Sequence, residues 1–484
     1  MIKTLAFFIL LLNSAHAYEI LSTPRQIADT LVDAGHNVTM LLPVMNPAVA
    51  DGSNKVHKIY VEPDPVVKHT YESHTEMNII ERSLFNPITP LFLGPLFASN
   101  IGRTCEKMLA EPGLIERLRE EKYDVYIAEN FEVCGIGISA AIQPKAFEEY
   151  GVPQALSYRP TLFYAHLDVH SFFSRLTNLI GEVFIRTQFW FPRRACDGAL
   201  RKRFGDEYPS VAEQSSNIAY LFTNSEPLIE TTPTFSRVID ISHIGAREPK
   251  PLDEKWSEIL SRRPRVILVS FGSMVKSYLF PINTKLSILK LEDEFSRGNA
   301  SRVDNLVLTE WMPQIDILNH PSLVAFITHG DMGSVQEAAA RGVPGVFIPI
   351  FGDQPRNAGM MVRNGLGLVY DKFALADVER LTATVREVVD NEKYRAAARR
   401  ISRMLARKPF KPKEQLVKHV EFAAEFGASS AFRPRSHDMS YIAYHNLDLI
   451  FALFIFTVLS LSGTVKIALF IMRKCFRVVK VKSE

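Results

Sequence analysis

Four cysteines in 484 residues, Cys105, Cys134, Cys196 and Cys475, show no metal-ligand spacing and are too few for a disulfide framework. Cys134, in the apolar run before Gly135, reads as a small buried hydrophobe rather than a nucleophile. No Asp-x-Asp pair offers itself as a metal site. No basic run with interleaved aromatics is present, which argues against a nucleic-acid partner, and a net charge of +3 gives no reason to expect another polyanion. No internal repeat is visible. One absence is local: no histidine lies between Tyr18 and Ala34.

What is present fits two domains of ordinary size plus extras, because 484 residues at 47% hydrophobic content support full cores. The ends carry targeting signals. Lys3 precedes a short apolar core, Leu5 to Leu12, and Ala15-His-Ala17 follows as a small-residue cleavage site. Residues 1–17 therefore read as a secretory signal peptide, with Tyr18 first in the mature chain. At the other end, residues 447–472 are nearly continuous apolar sequence, enough to cross ~30 Å of hydrocarbon. The basic flank of Arg473, Lys474, Arg477, Lys480 and Lys482 marks its cytosolic side. The expectation is a single-pass chain with its bulk lumenal and residues 473–484 as a cytosolic basic tail. Asn37-Val-Thr39 and Asn299-Ala-Ser301 are glycosylation sequons that such a placement exposes.

After Tyr18, a very short strand to Leu21 is followed by a helix capped by Ser22 or Thr23, with Pro24 at its first position and Gly35 as its stop. A strand from Asn37 to Leu42 comes next, the opening of a doubly wound domain. Leu114 to Glu121 predicts an amphipathic helix, and Tyr123 to Ala128 a strand with Glu129 at its carboxyl end. Residues 130–210 are rich in aromatics, including Phe163, Phe172, Phe173, Trp190 and Phe191, and suit a core, an apolar pocket or a membrane-facing surface. Ala219 to Ser225 closes a first domain, residues 18–226. Residues 227–264, punctuated by Pro233, Gly245, Pro249 and Pro251, read as a linker. A second domain, residues 265–446, opens on the strand Arg265 to Phe271, which ends in Gly272-Ser273. The segment after it, with Pro281, is short and badly patterned for a crossover helix.

The densest information lies between Trp311 and Gln354. Leu323 to Thr328 and Gly345 to Ile350 are short apolar runs that read as buried parallel strands. Between them, Gly333 to Arg341 predicts a helix stopped by Gly342. The turn into it is His329-Gly330-Asp331-Met332-Gly333-Ser334. Glycines there let backbone N–H groups at the helix start approach an anion, and the helix dipole favours a phosphate at that point.

This stretch resembles the UDP-glycosyltransferase family, which includes the UDP-glucuronosyltransferases. The matching residues are the Trp-x-Pro-Gln of Trp311 to Gln314, Phe326-Ile-Thr-His329-Gly330, Ser334, Glu337, Gly342, Pro344, Pro349 and Asp353-Gln354. The resemblance implies an α/β fold of the GT-B type, two Rossmann-like domains facing across a cleft. It implies that Trp311 stacks on the uracil, Gln314 bonds its edge, and Glu337 takes the ribose hydroxyls. His329, Gly330 and the amides near Gly333 and Ser334 hold the diphosphate, Ser273 approaches the phosphates, and Asp353 and Gln354 grip the sugar. No cofactor and no metal is implied, the UDP-sugar being a co-substrate. Asp331 departs from the pattern, standing where the family has a second glycine. It would either repel a diphosphate or cap the helix.

In the same family the loop after the first strand carries a catalytic histidine, oriented by an acid at the position of Glu129. With the first strand at Tyr18 to Leu21, that loop and its histidine are missing. The chain end Lys480-Val-Lys482-Ser-Glu resembles a dilysine retrieval signal of endoplasmic-reticulum membrane proteins. Two functions are therefore open. One is membrane-bound, inverting transfer of glucuronate or a related hexose to a small lipophilic acceptor, as in detoxifying conjugation. The other is an impaired family member that binds the nucleotide sugar, or a sister subunit in a homo- or hetero-oligomer, with little turnover.

Overall fold

The computed structural model describes residues 6–10, 22–43, 53–74, 89–129, 137–139, 159–161, 169–230, 236–272, 307, 309, 311–428 and 439–481. It divides into two units, Met1–Phe432 and Arg433–Glu484. The first unit contains two parallel sheets.

In the first sheet the elements run β1 (Ala6–Leu10), α1 (Ser22–Asp33), β2 (Asn37–Pro43), β3 (His57–Val61), α2 (Pro65–His74), α3 (Thr89–Ala110), α4 (Leu114–Glu120), β4 (Val125–Glu129), β5 (Gly137–Ser139), α5 (Phe172–Phe204), α6 (Val211–Ser216), β6 (Leu221–Thr223) and β7 (Val238–Asp240). All the strand pairs are parallel, in the order β3-β2-β1-β4-β5-β6-β7. That is the doubly wound arrangement, and its order reverses between β1 and β4. Strand alternation sorts the side chains. Val38, Met40 and Leu42 of β2 pack on Ile27 and Leu31 of α1, whereas Leu41 joins Ile101 and Met108 of α3 and Ala199 of α5 on the opposite face.

Three features depart from the sequence expectation. The first strand is Ala6–Leu10, the apolar run that also suits a leader, and it places Phe8 opposite Thr39 and Ile9 opposite Ile127. Ala-Phe-Phe-Ile-Leu is apolar at every position, the pattern of a central strand in a parallel sheet. The strand expected at Tyr18 to Leu21 lies outside the described residues. Next, the described part of residues 130–210 is dominated by α5, a 33-residue helix started by Ser171, whose Oγ accepts from Ser174 N at 3.3 Å. Its Ile185, Cys196 and Ala199 are core, yet Phe173 is 76% exposed. Cys196 is disulfide-bonded, and Cys105 is a buried free thiol. Finally, the residues read as a linker supply β7 to the first sheet and α7 (Glu254–Ser261) to the second domain, where Trp256 and Leu260 are buried.

The second sheet has the order β11-β10-β9-β8. Its elements are β8 (Val266–Ser270), α8 (Gln314–Leu318), β9 (Leu323–Thr328), α9 (Met332–Arg341), β10 (Gly345–Phe347), α10 (Gln354–Arg363), β11 (Gly367–Val369), α11 (Val378–Asp390) and α12 (Glu392–Ala406). Phe326 and Phe347 point to the face covered by α9 and α10, while Ala325, Ile327 and Val346 meet Leu381 and Val385 of α11 on the other. The helical stretch expected from Asp377 to Arg407 breaks at Asn391, which ends α11 and caps α12 in an extended conformation.

After α12 the chain crosses back. α13 (Pro412–Phe426) lays Leu416 and Val420 on the first sheet's core beside Ile27 and Ile241. The crossing is fixed by Lys408, whose Nζ donates to Glu226 Oε2 at 2.9 Å and Asp240 Oδ2 at 3.0 Å. The second unit contains α14 (Leu447–Val481), of which Leu447–Met472 is long and apolar enough to cross a membrane.

Burial pushes the Glu226 carboxyl up, but bonds from His243 and Ser242 and the Lys408 ammonium outweigh it and hold the group down at about 2. An acid lowered on folding adds stability above its unfolded value of 4.5, and that stability is lost as the pH falls toward about 2. Lys408→Met is therefore expected to cost about 3 kcal/mol at neutral pH and to move the acid-unfolding midpoint upward. Urea titrations across the acid range test this; an unmoved midpoint would remove Lys408 from the junction's energetics.

Candidate functional site

The site is built where β9 and β10 end. At the end of β9 the chain turns through His329 and Gly330 into α9. Gly330 has φ +84°, which glycine adopts without strain. Asp331 is the cap of α9, its Oδ2 accepting from Ser334 N at 2.9 Å. Its Oδ1 lies 3.3 Å from His329 Nε2, and the two residues are 3% and 1% exposed. His329 Nδ1 faces Thr328 Oγ1 at 3.3 Å. Of the two roles open to Asp331, the structure realises the cap.

One turn further along α9, Glu337 Oε2 accepts from Gln314 Nε2 at 2.8 Å, and the same nitrogen lies 3.4 Å from Ser334 Oγ. Burial pushes the Glu337 carboxyl up to about 7; the charge of Asp331 adds to this, while Gln314, Arg247 and Arg341 oppose it. Gln314 is placed by α8, and α8 is anchored by Asp316. Both Asp316 oxygens take the Arg247 guanidinium at 2.7 Å, and Oδ1 also accepts from Lys250 N at 2.7 Å. The bond from Arg247 holds the Asp316 carboxyl below the usual range. Trp311, just upstream, is 68% exposed, so its indole offers a face to a ligand.

From β10 the chain reaches Asp353-Gln354 at the start of α10. Gln354 Oε1 accepts from Ile350 N at 2.8 Å and Phe351 N at 3.0 Å. Its oxygen is thus committed to closing the turn, and only its amide N–H groups are left for a sugar. Asp353 Oδ2 accepts from Asn357 Nδ2 at 2.8 Å. Burial pushes the Asp353 carboxyl up, and the nearby Asp331 charge adds to the shift.

The structure therefore gathers Gln314, Ser334 and Glu337 into one bonded group and His329, Asp331 and Ser334 into another, with Asp353 in electrostatic reach of the second. Ser273 lies outside the described residues. Glu129 is the last residue of β4 and ends beside β1. With β1 at Ala6–Leu10, the connection to α1 becomes residues 11–21, which lie outside the described residues and whose sequence includes His16. Sequence reasoning missed Gln336. Its Nε2 donates to Asn224 O at 2.9 Å and Asn224 Oδ1 at 3.1 Å, and its Oε1 accepts from His243 N at 3.2 Å. These bonds tie α9 to the first domain. No local signal marked it, because its partners lie 112 and 93 residues away.

Two parallel α/β sheets, with buried polar side chains gathered at the carboxyl edge of the second, make the fold of the GT-B glycosyltransferases. The chain matches the family described as UDP-glucoronosyl and UDP-glucosyl transferase across residues 9–482, and it belongs to that family. Its chemistry is sugar transfer from a UDP-sugar. It is similar to UDP-glucuronosyltransferase 3A1 of Bos taurus, 25% identical over 90% of this chain and 87% of that protein. A similar likeness links it to UDP-glucuronosyltransferase 1A7 of Mus musculus, 25% identical over 94% and 90%. Among solved structures it shares its fold with LpCGTa in complex with UDP, at a TM-score of 0.51 and 15% identity, over 87% of this chain and 100% of that one.

An acid raised on folding stabilises the native state below its unfolded value of 4.5, and that contribution is lost as the pH rises through about 7. Glu337→Gln is expected to flatten this fall. Melting temperatures of both proteins between pH 5 and 8 should converge at the acid end and separate at the alkaline end, with the variant higher. Parallel curves would show that the carboxyl titrates normally.

Proposed function

We propose that this glycosyltransferase is anchored in the endoplasmic-reticulum membrane by residues 447–472, with its two domains lumenal, and conjugates small lipophilic acceptors. The observation that carries the donor site is the bonded pair Gln314 and Glu337, with the exposed Trp311 just before Gln314 in the chain. Those two side chains satisfy each other. Uridine would part them, taking the Gln314 amide on the base edge and Glu337 on the ribose hydroxyls. His329 and the amides that open α9 would carry the phosphate charge as UDP leaves and the acceptor oxygen closes on the anomeric carbon. The acceptor domain so read is residues 18–226 joined by β1, β7 and α13, and the donor domain lies within residues 265–446. The disulfide at Cys196 supports a lumenal setting, since oxidising compartments preserve such bonds.

The acceptor proton needs a base. If residues 1–17 are cleaved as a leader, His16 leaves with them and Glu129 has no histidine partner from that loop. If β1 is retained, His16 is in the loop where the family carries its base. Sequencing the amino terminus of the purified protein decides between the two. The second reading, binding with little turnover, is favoured by cleavage.

Thermal-shift measurements with UDP, UDP-glucose and UDP-glucuronate test the donor site. Ligand at a hundredfold over its Kd stabilises by about 2.7 kcal/mol, and Trp311→Ala should abolish most of that shift. A folded protein indifferent to all three would refute the reading. Labelled UDP-sugar with a panel of phenols then separates transfer from binding. Loss of a general base alone slows such reactions about a hundred- to ten-thousandfold.

A further inference from the structure

We infer that Asp331 is a built-in competitor of the donor's diphosphate, so that the nucleotide cradle is occupied by the protein's own carboxylate until a ligand displaces it. The inference rests on the uridine-diphosphate reading of this site and concerns what that site selects. The first amides of a helix have no partner within it and are the natural donors to a phosphate. Here the Ser334 amide is taken by Asp331 Oδ2 at 2.9 Å. The second donor of the cradle, His329 Nε2, faces Asp331 Oδ1 at 3.3 Å. One carboxylate therefore accepts from the first of these groups and stands against the second.

The neighbourhood is shaped to hold it there. A Cβ on Gly333 would stand 3.0 Å from Asp331 Oδ2, so the bare glycine leaves the room in which the carboxylate sits. Asp331 is buried, and its charge reaches Glu337 and Asp353, both of which it pushes toward protonation. A diphosphate arriving at the same donors meets a like charge in a poorly solvated place, where repulsion is strong. Binding must then swing Asp331 out and replace its two contacts. Only a ligand that also gains the Trp311 face, the Gln314 amide and the Glu337 carboxyl recovers that loss. The cap thus acts as a specificity filter, rejecting phosphate-bearing ligands without a uridine, inorganic diphosphate among them.

Three full-length proteins test this: wild type, Asp331→Asn and Asp331→Gly. Asparagine still caps the helix but carries no charge, and glycine also frees the Ser334 amide. Calorimetric Kd values are measured for UDP, uridine and inorganic diphosphate. UDP should tighten about tenfold or more in Asp331→Asn, the scale of one neighbouring like charge, and further in Asp331→Gly. Uridine, which has no phosphate, should bind all three alike, and diphosphate should become measurable only in the variants. Equal or weaker UDP binding in both variants would overturn the inference, as would uridine tightening in step with UDP. If neither uridine nor UDP binds any of the three, the nucleotide reading falls and the inference falls with it.

Discussion

One side-chain amide joins the two halves of the first unit at the point where position matters most. Gln336 sits in the middle of α9, the helix whose first turn carries Ser334 and whose second carries Glu337. By bonding Asn224 and the His243 amide it fixes that helix against the end of the first sheet. A neutral hydrogen bond contributes only about 1 kcal/mol net, yet a buried amide stripped of its partners costs about 1–3 kcal/mol. The neighbouring group of His243, Glu226, Asp240 and Lys408 extends the same junction. Exposed pairs such as Lys202 with Glu106 add less than about 1 kcal/mol each. Domain registration is therefore set by the buried junction and not by the decorated surface.

The carboxyl edge of the second sheet is costly to build. Thr328, His329, Asp331, Gln354 and Asn357 are all buried there, and burying polar groups is tolerated only when they find partners. Most do: Gln354 closes a turn, Asp331 caps a helix, and Asn357 holds Asp353. Stability alone would favour apolar side chains at these positions. Polar groups are kept there at such a cost, and they lie where open α/β sheets bind their ligands.

The second domain was legible because its signals are local. Leu323 to Thr328 is buried along its whole length and stands as a strand to the residue. Gly342, at φ +69°, ends α9 where a glycine stop was expected. The first domain was harder. Hydrophobicity does not separate a leader from a central parallel strand, so Ala6–Leu10 could be read as either. Val-Ile-Asp of β7 is too short to show a period inside a stretch punctuated by proline. α5 was hidden because apolar residues appear on its exposed side, including Phe172, Phe173 and Ile180, which blurs the helical stripe. In the site, residue identities were legible and their pairings were not. That Gln354 spends its oxygen on its own turn, and that Asp331 faces His329, depends on geometry that spacing does not encode.

The return of α13 has a consequence for how the protein is made. A sheet whose first strand lies at Ala6–Leu10 is covered on one face by Leu416 and Val420. The helix α1 covers part of that face early, but more than four hundred residues must leave the ribosome before α13 completes the cover. Contacts so distant along the chain form late and slowly, and apolar surface awaiting them is prone to aggregate. The nascent amino-terminal half is thus a natural client for chaperones, and it gains the covering helix α13 only after the whole second sheet has been made.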